Sequence, residues 1–446
     1  MTNSHLPDVF ERRESEVRSY CHSFPAVFEK ANGAYLFDRE GNRYTDFFCG
    51  AGALNYGHNP PALKRTLLDY LASDGVVHSL DMATVAKQRF LEEFESTVLD
   101  PRHLDYRVQF VGPTGANAIE AALKLARKRQ RRNTVVAFTN AYHGLSSGAL
   151  SVTGDAFYRD ESYLQRGNVV FMPYENYFGR NVDTLDYFER YLTDSGSGLD
   201  RPAAVILETV QAEGGVNVAS VQWLRRLELL CRRFEMILIV DDVQVGCGRT
   251  GTFFSFERAE WVADMVVLSK SISGYGLPMS LLLLKPELDI WKRGEHSGTF
   301  RGNNLAFVAA TAALQVWREV DLPAMVAERS AVLEQELVTL TREFSQLGAE
   351  VRGLGLIFGL KLNSPEIAQA IASECFAGGL IIELCGARRD TLKFLPPLVI
   401  DLPVLREGLS ILRKAIEVTL DYDESQLRIV LTDGPKLRKH NRSVFN

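Results

Sequence analysis

Residues 236–242 read MILIVDD, an unbroken apolar run closed by two carboxylates. A run this short and this apolar predicts a strand covered on both faces, as in a mostly parallel sheet. Further runs of the same texture lie between about residues 105 and 285: RVQFVG, NTVVAF, NVVFM, AAVILE, DMVVLSK and SLLLLK. Between them, Ile119, Ala122, Leu123 and Ala126 recur at helical spacing, as do Trp223, Leu227, Leu230, Cys231 and Phe234. Strands alternating with helices predict a large α/β domain of several βα units. Open sheets of this kind bind ligands at the carboxyl ends of their strands. MILIVDD delivers Asp241 and Asp242 to that edge, and DMVVLSK delivers Lys270. A carboxylate and an amine facing one crevice are either a plain ion pair or the beginning of a site.

Outside this region the texture changes. Beyond Trp317, AERSAVLEQELVTLTREFSQL reads as one long amphipathic helix and VRGLGLIFGLKL as a strand pair hinged on glycines. The stretch GAYLFDREGNRYTDF reads as another strand pair, turned at EGN. The expected organisation is an N-terminal segment 1–55 packing with a small domain, a large α/β domain 56–317, a smaller α+β domain 318–424 and a basic polar tail 425–446 forming a mobile end. The chain has 446 residues, 46% of them hydrophobic, with Lys+Arg 50 against Asp+Glu 56 and a net charge of −6. That balance offers no electrostatic footprint for nucleic acid or an anionic membrane. No apolar run is long enough to span a bilayer, and the charged start lacks the apolar core of a signal peptide. Six cysteines lie far apart without CxxC spacing. They read as reduced thiols in a cytoplasmic protein, with no zinc site.

The loops after the strands carry the chemistry. VGPTGANAIEAALKLARKRQ runs strand, tight turn, helix, with Thr114 as N-cap and Gly115 admitting an anion to the positive end of the helix. Taken alone it reads more readily as a capped surface helix. NAYHGLSSGAL sets Tyr142 and His143 in a loop, and ILETVQAEGG sets Glu208 at a strand end with Glu213 behind it. Singly, each has an ordinary structural explanation. Together with Lys270 and an aspartate they suit a phosphorylated, cationic aromatic ring bearing an aldehyde, which is pyridoxal 5′-phosphate (PLP). Lys270 is then a nucleophilic amine pushed toward its neutral form by burial.

The motifs DDVQVGCGRTG, SKSISGYGLP, TGANAIEAALKLAR, YHG, ETVQAEGG and GTFRGNNLA together resemble the class III, or ω-, aminotransferases of the fold type I PLP enzymes. The likeness runs from NGAYLFDREGNRYTDFFCGAGALNYGHNPP to LPPLVI. It implies a large domain with a mostly parallel seven-stranded sheet and a smaller α+β domain. It implies that Lys270 forms the Schiff base and that Asp241 partners the ring nitrogen. Gln244 contacts the ring oxygen, and Val243 and Tyr142 lie on opposite faces of the ring. Gly115 and Ala116 bind the phosphate through their amides, and Glu208 belongs to the same cofactor set. Thr299 reaches the phosphate of the neighbouring subunit. The resemblance thereby implies an obligate homodimer with shared active sites, alone or paired into tetramers. FERRESEVRSYCHSFPAVFEKANGAYLF, LASDGVVHSLDMATVAK and PELDIWKRGEHSGTFRGNNLAFV are similar to the diaminobutyrate–2-oxoglutarate aminotransferases that serve ectoine synthesis. The substrates implied are L-2,4-diaminobutyrate and 2-oxoglutarate. Alternatives are another amine donor (4-aminobutyrate, ornithine or a pathway-specific diamine), an aminomutase or racemase on this fold, or a non-catalytic descendant. Two positions depart from the commoner ω-aminotransferase pattern: Leu145 and Lys393 stand where many relatives carry arginine. Glu213 matches the glutamate that shields the second of these arginines. Glu213 and Lys393 are therefore expected to bind substrate in an open, wet cleft, with a surface strand position as the plain alternative for Lys393. Asn117 replaces the usual acid behind the phosphate-site glycine.

Overall fold

A computed structural model describes residues 7–160, 162–163 and 168–421; the basic tail expected at 425–446 lies outside the described residues. Strands β1 (Phe28–Asn32), β2 (Tyr35–Asp38) and β3 (Arg43–Asp46) form an antiparallel meander. The turn expected at EGN joins the last two, where Asp38 Oδ1 accepts the N–H groups of Glu40 and Asn42 at 3.1 and 2.8 Å.

The apolar runs become β4 (Arg107–Phe110), β5 (Val135–Phe138), β6 (Val169–Met172) and β7 (Ala204–Leu207), followed by the short hairpin β8 (Val210–Gln211) and β9 (Asn217–Val218), and then β10 (Ile237–Asp241), β11 (Met265–Leu268) and β12 (Leu281–Leu284). Without the hairpin they form one seven-stranded sheet in the order β4-β12-β11-β10-β7-β5-β6. All pairings among β11, β10, β7, β5 and β6 are parallel, while β12 runs antiparallel between β4 and β11. The connection 269–280 holds a 3₁₀ turn and loop but no crossover helix, and β12 returns beside β11 in the antiparallel sense.

Both faces of the sheet are covered, which is why its strands carry no polar alternation. Val136, Val205, Leu238, Val240, Val266 and Leu283 bury into one core together with Trp223, Leu227 and Phe307. Val135, Ile206, Ile237, Ile239, Val267 and Leu282 bury into another with Ile119, Ala122, Leu123 and Ala126 of the helix Gly115–Gln130.

The C-terminal region supplies β13 (Glu350–Leu354), β14 (Ile357–Lys361), β15 (Leu380–Ile381), β16 (Glu383–Cys385) and β17 (Thr391–Phe394). The glycine-hinged pair is the β13–β14 hairpin, and the sheet continues β13-β14-β17-β16. The long helix expected after Trp317 spans Leu322–Glu343 and packs in the same core as Ile371, Leu405 and Leu412. β15 pairs in parallel with β3, so the N-terminal meander shares a sheet with the C-terminal region.

One buried cation ties these regions together. Arg249 is 0% exposed and donates to Leu356 O at 2.9 Å, Asn55 Oδ1 at 2.6 Å and Pro396 O. Burial pushes its pKa down to about 10. Truncation would strand these acceptors and leave a cavity. Arg249→Ala is expected to lose about 3–5 kcal/mol of stability, read as a fall in the denaturant midpoint.

Candidate active site

The carboxyl ends of the parallel strands converge on a cavity of ≈300 Å³ lined by Gly115, Tyr142, Glu208, Asp241, Val243 and Lys270, among others. Each comes from the loop following a different strand, except that Asp241 and Val243 share the end of β10. Lys270 begins a 3₁₀ turn just past β11 with φ 52°, a left-handed conformation uncommon for a residue with a Cβ. Among the described residues its amine makes no hydrogen bond or ion pair. Burial lowers its pKa, against the opposing pull of Glu213.

Asp241 and Asp242 are adjacent in sequence and point opposite ways, as successive residues of an extended strand must. Asp242 turns away from the cavity, where it accepts Ser255 N–H at 2.9 Å and the Ser255 hydroxyl. Burial drives its pKa up to about 7. Asp241 faces the cavity: Oδ1 accepts Val243 N–H at 3.1 Å, and Oδ2 lies 2.7 Å from His143 Nδ1. Burial disfavours a charged His143, but Asp241 reverses this and raises its pKa. His143 Nε2 is buried without a partner among the described residues. Glu208 accepts Tyr142 N–H at 2.9 Å, and burial lifts its pKa to about 8.

At the far end the expectation of an open, wet cleft is overturned. Lys393 is 0% exposed, which also removes the surface-strand alternative. Its ammonium has three N–H donors, and three oxygens surround it: Glu213 Oε1 at 2.6 Å, Glu383 Oε1 at 2.9 Å and Gln244 Oε1 at 3.2 Å. Glu383 lies directly across from Lys393 in the β16–β17 pairing, so strand register builds this ion pair. Burial works against the Lys393 charge, yet the two glutamates raise its pKa. Burial opposes the Glu213 charge too, and Lys393 brings that pKa down to about 2. Glu383 remains up at about 7, because burial outweighs Lys393 there. Nothing in the apolar patterning points to Glu383, which sequence reading missed. Gln244 also donates to Ala51 O at 2.9 Å and to Glu213 Oε1 at 3.0 Å, joining the cluster to the cavity wall.

The end of the cavity at Gly115 is built from a helix start. Thr114 is the N-cap, and its N–H and hydroxyl both point to Asn117 Oδ1, at 3.2 and 3.0 Å. Asn117 thus serves the cap without adding negative charge beside an anion site. The N–H groups of Gly115 and Ala116 lie in the first helical turn and have no intrahelical acceptor. A Cβ on Gly115 would stand 3.0 Å from both Val243 methyl groups, so the residue keeps this approach open. An unpartnered amine, an anchored carboxylate, an aromatic wall and a helix N-terminus around one cavity fit a phosphorylated pyridine aldehyde. Thr299 is exposed and does not line this chain's own cavity.

The family described as Aminotransferase class-III matches residues 17–416. A diaminobutyrate–2-oxoglutarate transaminase of Wolinella succinogenes is 55% identical over 425 residues, covering 95% of this chain and 99% of that one. A diaminobutyrate–2-oxoglutarate transaminase of Halalkalibacterium halodurans is 51% identical over 417 residues, covering 94% and 98%. A solved ornithine aminotransferase of Toxoplasma gondii, with PLP at partial occupancy in its active site, superposes with TM-score 0.79 at 26% identity, over 93% of this chain and 94% of that one.

Proposed function

The chain belongs to the class III aminotransferases, and from that membership we propose that it moves the 4-amino group of L-2,4-diaminobutyrate to 2-oxoglutarate, giving L-aspartate 4-semialdehyde and L-glutamate. The observation that carries the choice of donor is the charge cluster at the end of the cavity. An arginine there would present a planar fork to a carboxylate, whereas Lys393 is a point charge countered by Glu213 and Glu383. The cluster is therefore neutral to negative. With Glu213 closed it leaves no full cation for a donor that ends in a bare carboxylate, as 4-aminobutyrate does.

Lys270, Asp241, Tyr142, Glu208, Val243 and Gln244, with the amides of Gly115 and Ala116, would hold pyridoxal 5′-phosphate. When bound, this cofactor supplies an aldehyde and a protonated ring that accepts the electrons of a carbanion. Asp241 holds the proton on the ring nitrogen, and His143 orients Asp241. Lys270 Nζ takes the proton from the donor's C4. Thr299 would serve a second copy in a homodimer. Its neighbourhood supports this, since Val76, Val77, Leu80, Met82, Val85 and Phe300 are between 44% and 68% exposed. No helix among the described residues is long and apolar enough to cross a membrane, and six free cysteines support a reducing, cytoplasmic setting.

Purified holoenzyme assayed with diaminobutyrate, 4-aminobutyrate and ornithine against 2-oxoglutarate tests the reading. The expected result is a kcat/KM at least about 10-fold higher for diaminobutyrate. A preference for another donor would replace the substrate assignment, and turnover without any 2-oxo acid would replace the reaction.

In this scheme Glu213 covers Lys393 while the donor is bound and turns away for the acceptor, exposing one Lys393 donor to a carboxylate. Because the cluster is buried, Lys393→Ala strands two glutamates and is expected to destabilise the fold by about 3–5 kcal/mol. Lys393→Met with Glu383→Gln neutralises one of the two stranded carboxyls and should recover part of that loss. Single-turnover kinetics of this double variant should show the 2-oxoglutarate half-reaction slowed more than the diaminobutyrate half-reaction. Equal slowing of the two would remove Lys393 from acceptor binding.

A further inference from the structure

We propose that the pocket beyond Tyr142, walled by Arg389 and Asp155, binds the unreacted α-amino acid end of the donor, with Arg389 taking the carboxylate and Asp155 the ammonium. The proposal rests on diaminobutyrate being the donor. A molecule that reacts at C4 must place its α-carboxylate and α-ammonium a short chain away from Lys270. A second cavity of ≈110 Å³ adjoins the first, and Tyr142 and Glu213 line both.

The supply of cations selects Arg389. The basic side chains lining the two cavities are Lys270, His143 and Arg389. Lys270 is the reacting amine, and His143 is engaged by Asp241 at 2.7 Å. Lys393 is hydrogen-bonded to Glu213 and Gln244 and ion-paired with Glu383 as long as Glu213 is closed on it. Leu145 offers no charge. The Arg389 guanidinium makes no hydrogen bond or ion pair among the described residues, whereas its neighbour Arg388 leans toward Asp390 at 3.9 Å. A guanidinium presents a fork that matches a carboxylate.

The loop holding Arg389 is fixed. Gly386 N–H donates to Glu213 O and Arg389 N–H donates to Gly386 O, both at 2.8 Å. Arg389 itself has φ 53°, where a side chain is uncommon. The backbone of Glu213 is thus bonded to the loop that aims the cation. Asp155, which lines the same pocket, accepts Phe157 N–H on Oδ1 at 2.9 Å, which anchors its carboxylate. Tyr158 packs edge-on against Tyr142 with ring centroids 5.4 Å apart, and both line the pocket. A cation, Arg389, and an acid, Asp155, line one pocket with Tyr142 and Tyr158 and offer partners for the two charges of an α-amino acid.

Two donors that each lack one of these charges provide the test. 1,3-Diaminopropane is diaminobutyrate without its carboxylate, and 4-aminobutyrate is diaminobutyrate without its α-ammonium. kcat/KM for all three is measured on wild-type holoenzyme and on Arg389→Ala, Arg389→Lys and Asp155→Asn, with thermal melts to confirm folding. Arg389→Ala should cut the preference for diaminobutyrate over 1,3-diaminopropane by about 10- to 100-fold, and Arg389→Lys by less. Asp155→Asn should instead erode the preference over 4-aminobutyrate. If folded Arg389→Ala keeps the wild-type ratio of diaminobutyrate to 1,3-diaminopropane, Arg389 is not the carboxylate's partner and the inference fails. A wild type that aminates 2-oxoglutarate from other donors but ignores diaminobutyrate would overturn the donor assignment itself, and the pocket's occupant with it.

Discussion

Lys270→Ala is expected to fold as wild type and to lose at least about 10⁴-fold in transamination. Folding should survive because the amine makes no hydrogen bond or ion pair among the described residues, so its removal strands no partner. The left-handed φ of 52° strains alanine much as it strains lysine. Activity should not survive, since among the described residues lining the cavities no other basic group is placed to do this work. His143 is bonded to Asp241, Lys393 is enclosed by acids, and Arg389 cannot give up its proton at neutral pH. Borohydride reduction of holoenzyme followed by peptide mapping should find the cofactor on Lys270 in wild type and on no lysine in the variant. Labelling at a different lysine would reject the assignment.

Asp241→Asn is expected to lower kcat by about 10²–10³-fold with cofactor still bound, measured by steady-state kinetics and by absorbance of the holoenzyme. The amide keeps the shape of the carboxylate and can still accept Val243 N–H. It cannot hold a proton on a ring nitrogen, and it withdraws the charge that raises the pKa of His143. Asp242→Asn is the matched control. Asp242 faces Ser255, and its carboxyl already has a pKa pushed up to about 7, so an uncharged isostere changes little there. Loss of activity in the Asp242 variant, with near wild-type turnover in the Asp241 variant, would exchange the two roles.

The contrast between these neighbours shows where sequence reading stops. MILIVDD announces a buried strand with acids at its carboxyl end, because covering both faces of a strand requires an unbroken apolar run that is local in the chain. The seven runs, the helices between them and the long helix after Trp317 were legible for the same reason. So was the placing of Lys270 and an aspartate at one edge of the sheet. Which aspartate faces the cavity depended on resemblance at the sequence level. In the fold it depends on strand alternation and on Ser255 arriving from another loop. The antiparallel β12, the burial of Arg249 and the enclosure of Lys393 carry no local pattern at all. Lys393 reads as a charged residue in a short strand, and its environment comes from Glu213, 180 positions away, and from Glu383 across the β16–β17 register. Hydrophobic periodicity is a one-dimensional signal that reports which face of an element is covered. Ion pairs between distant strands, and the free donors of Arg389 beside them, exist only once packing has set the distances, and those distances decide which charges remain available to a substrate.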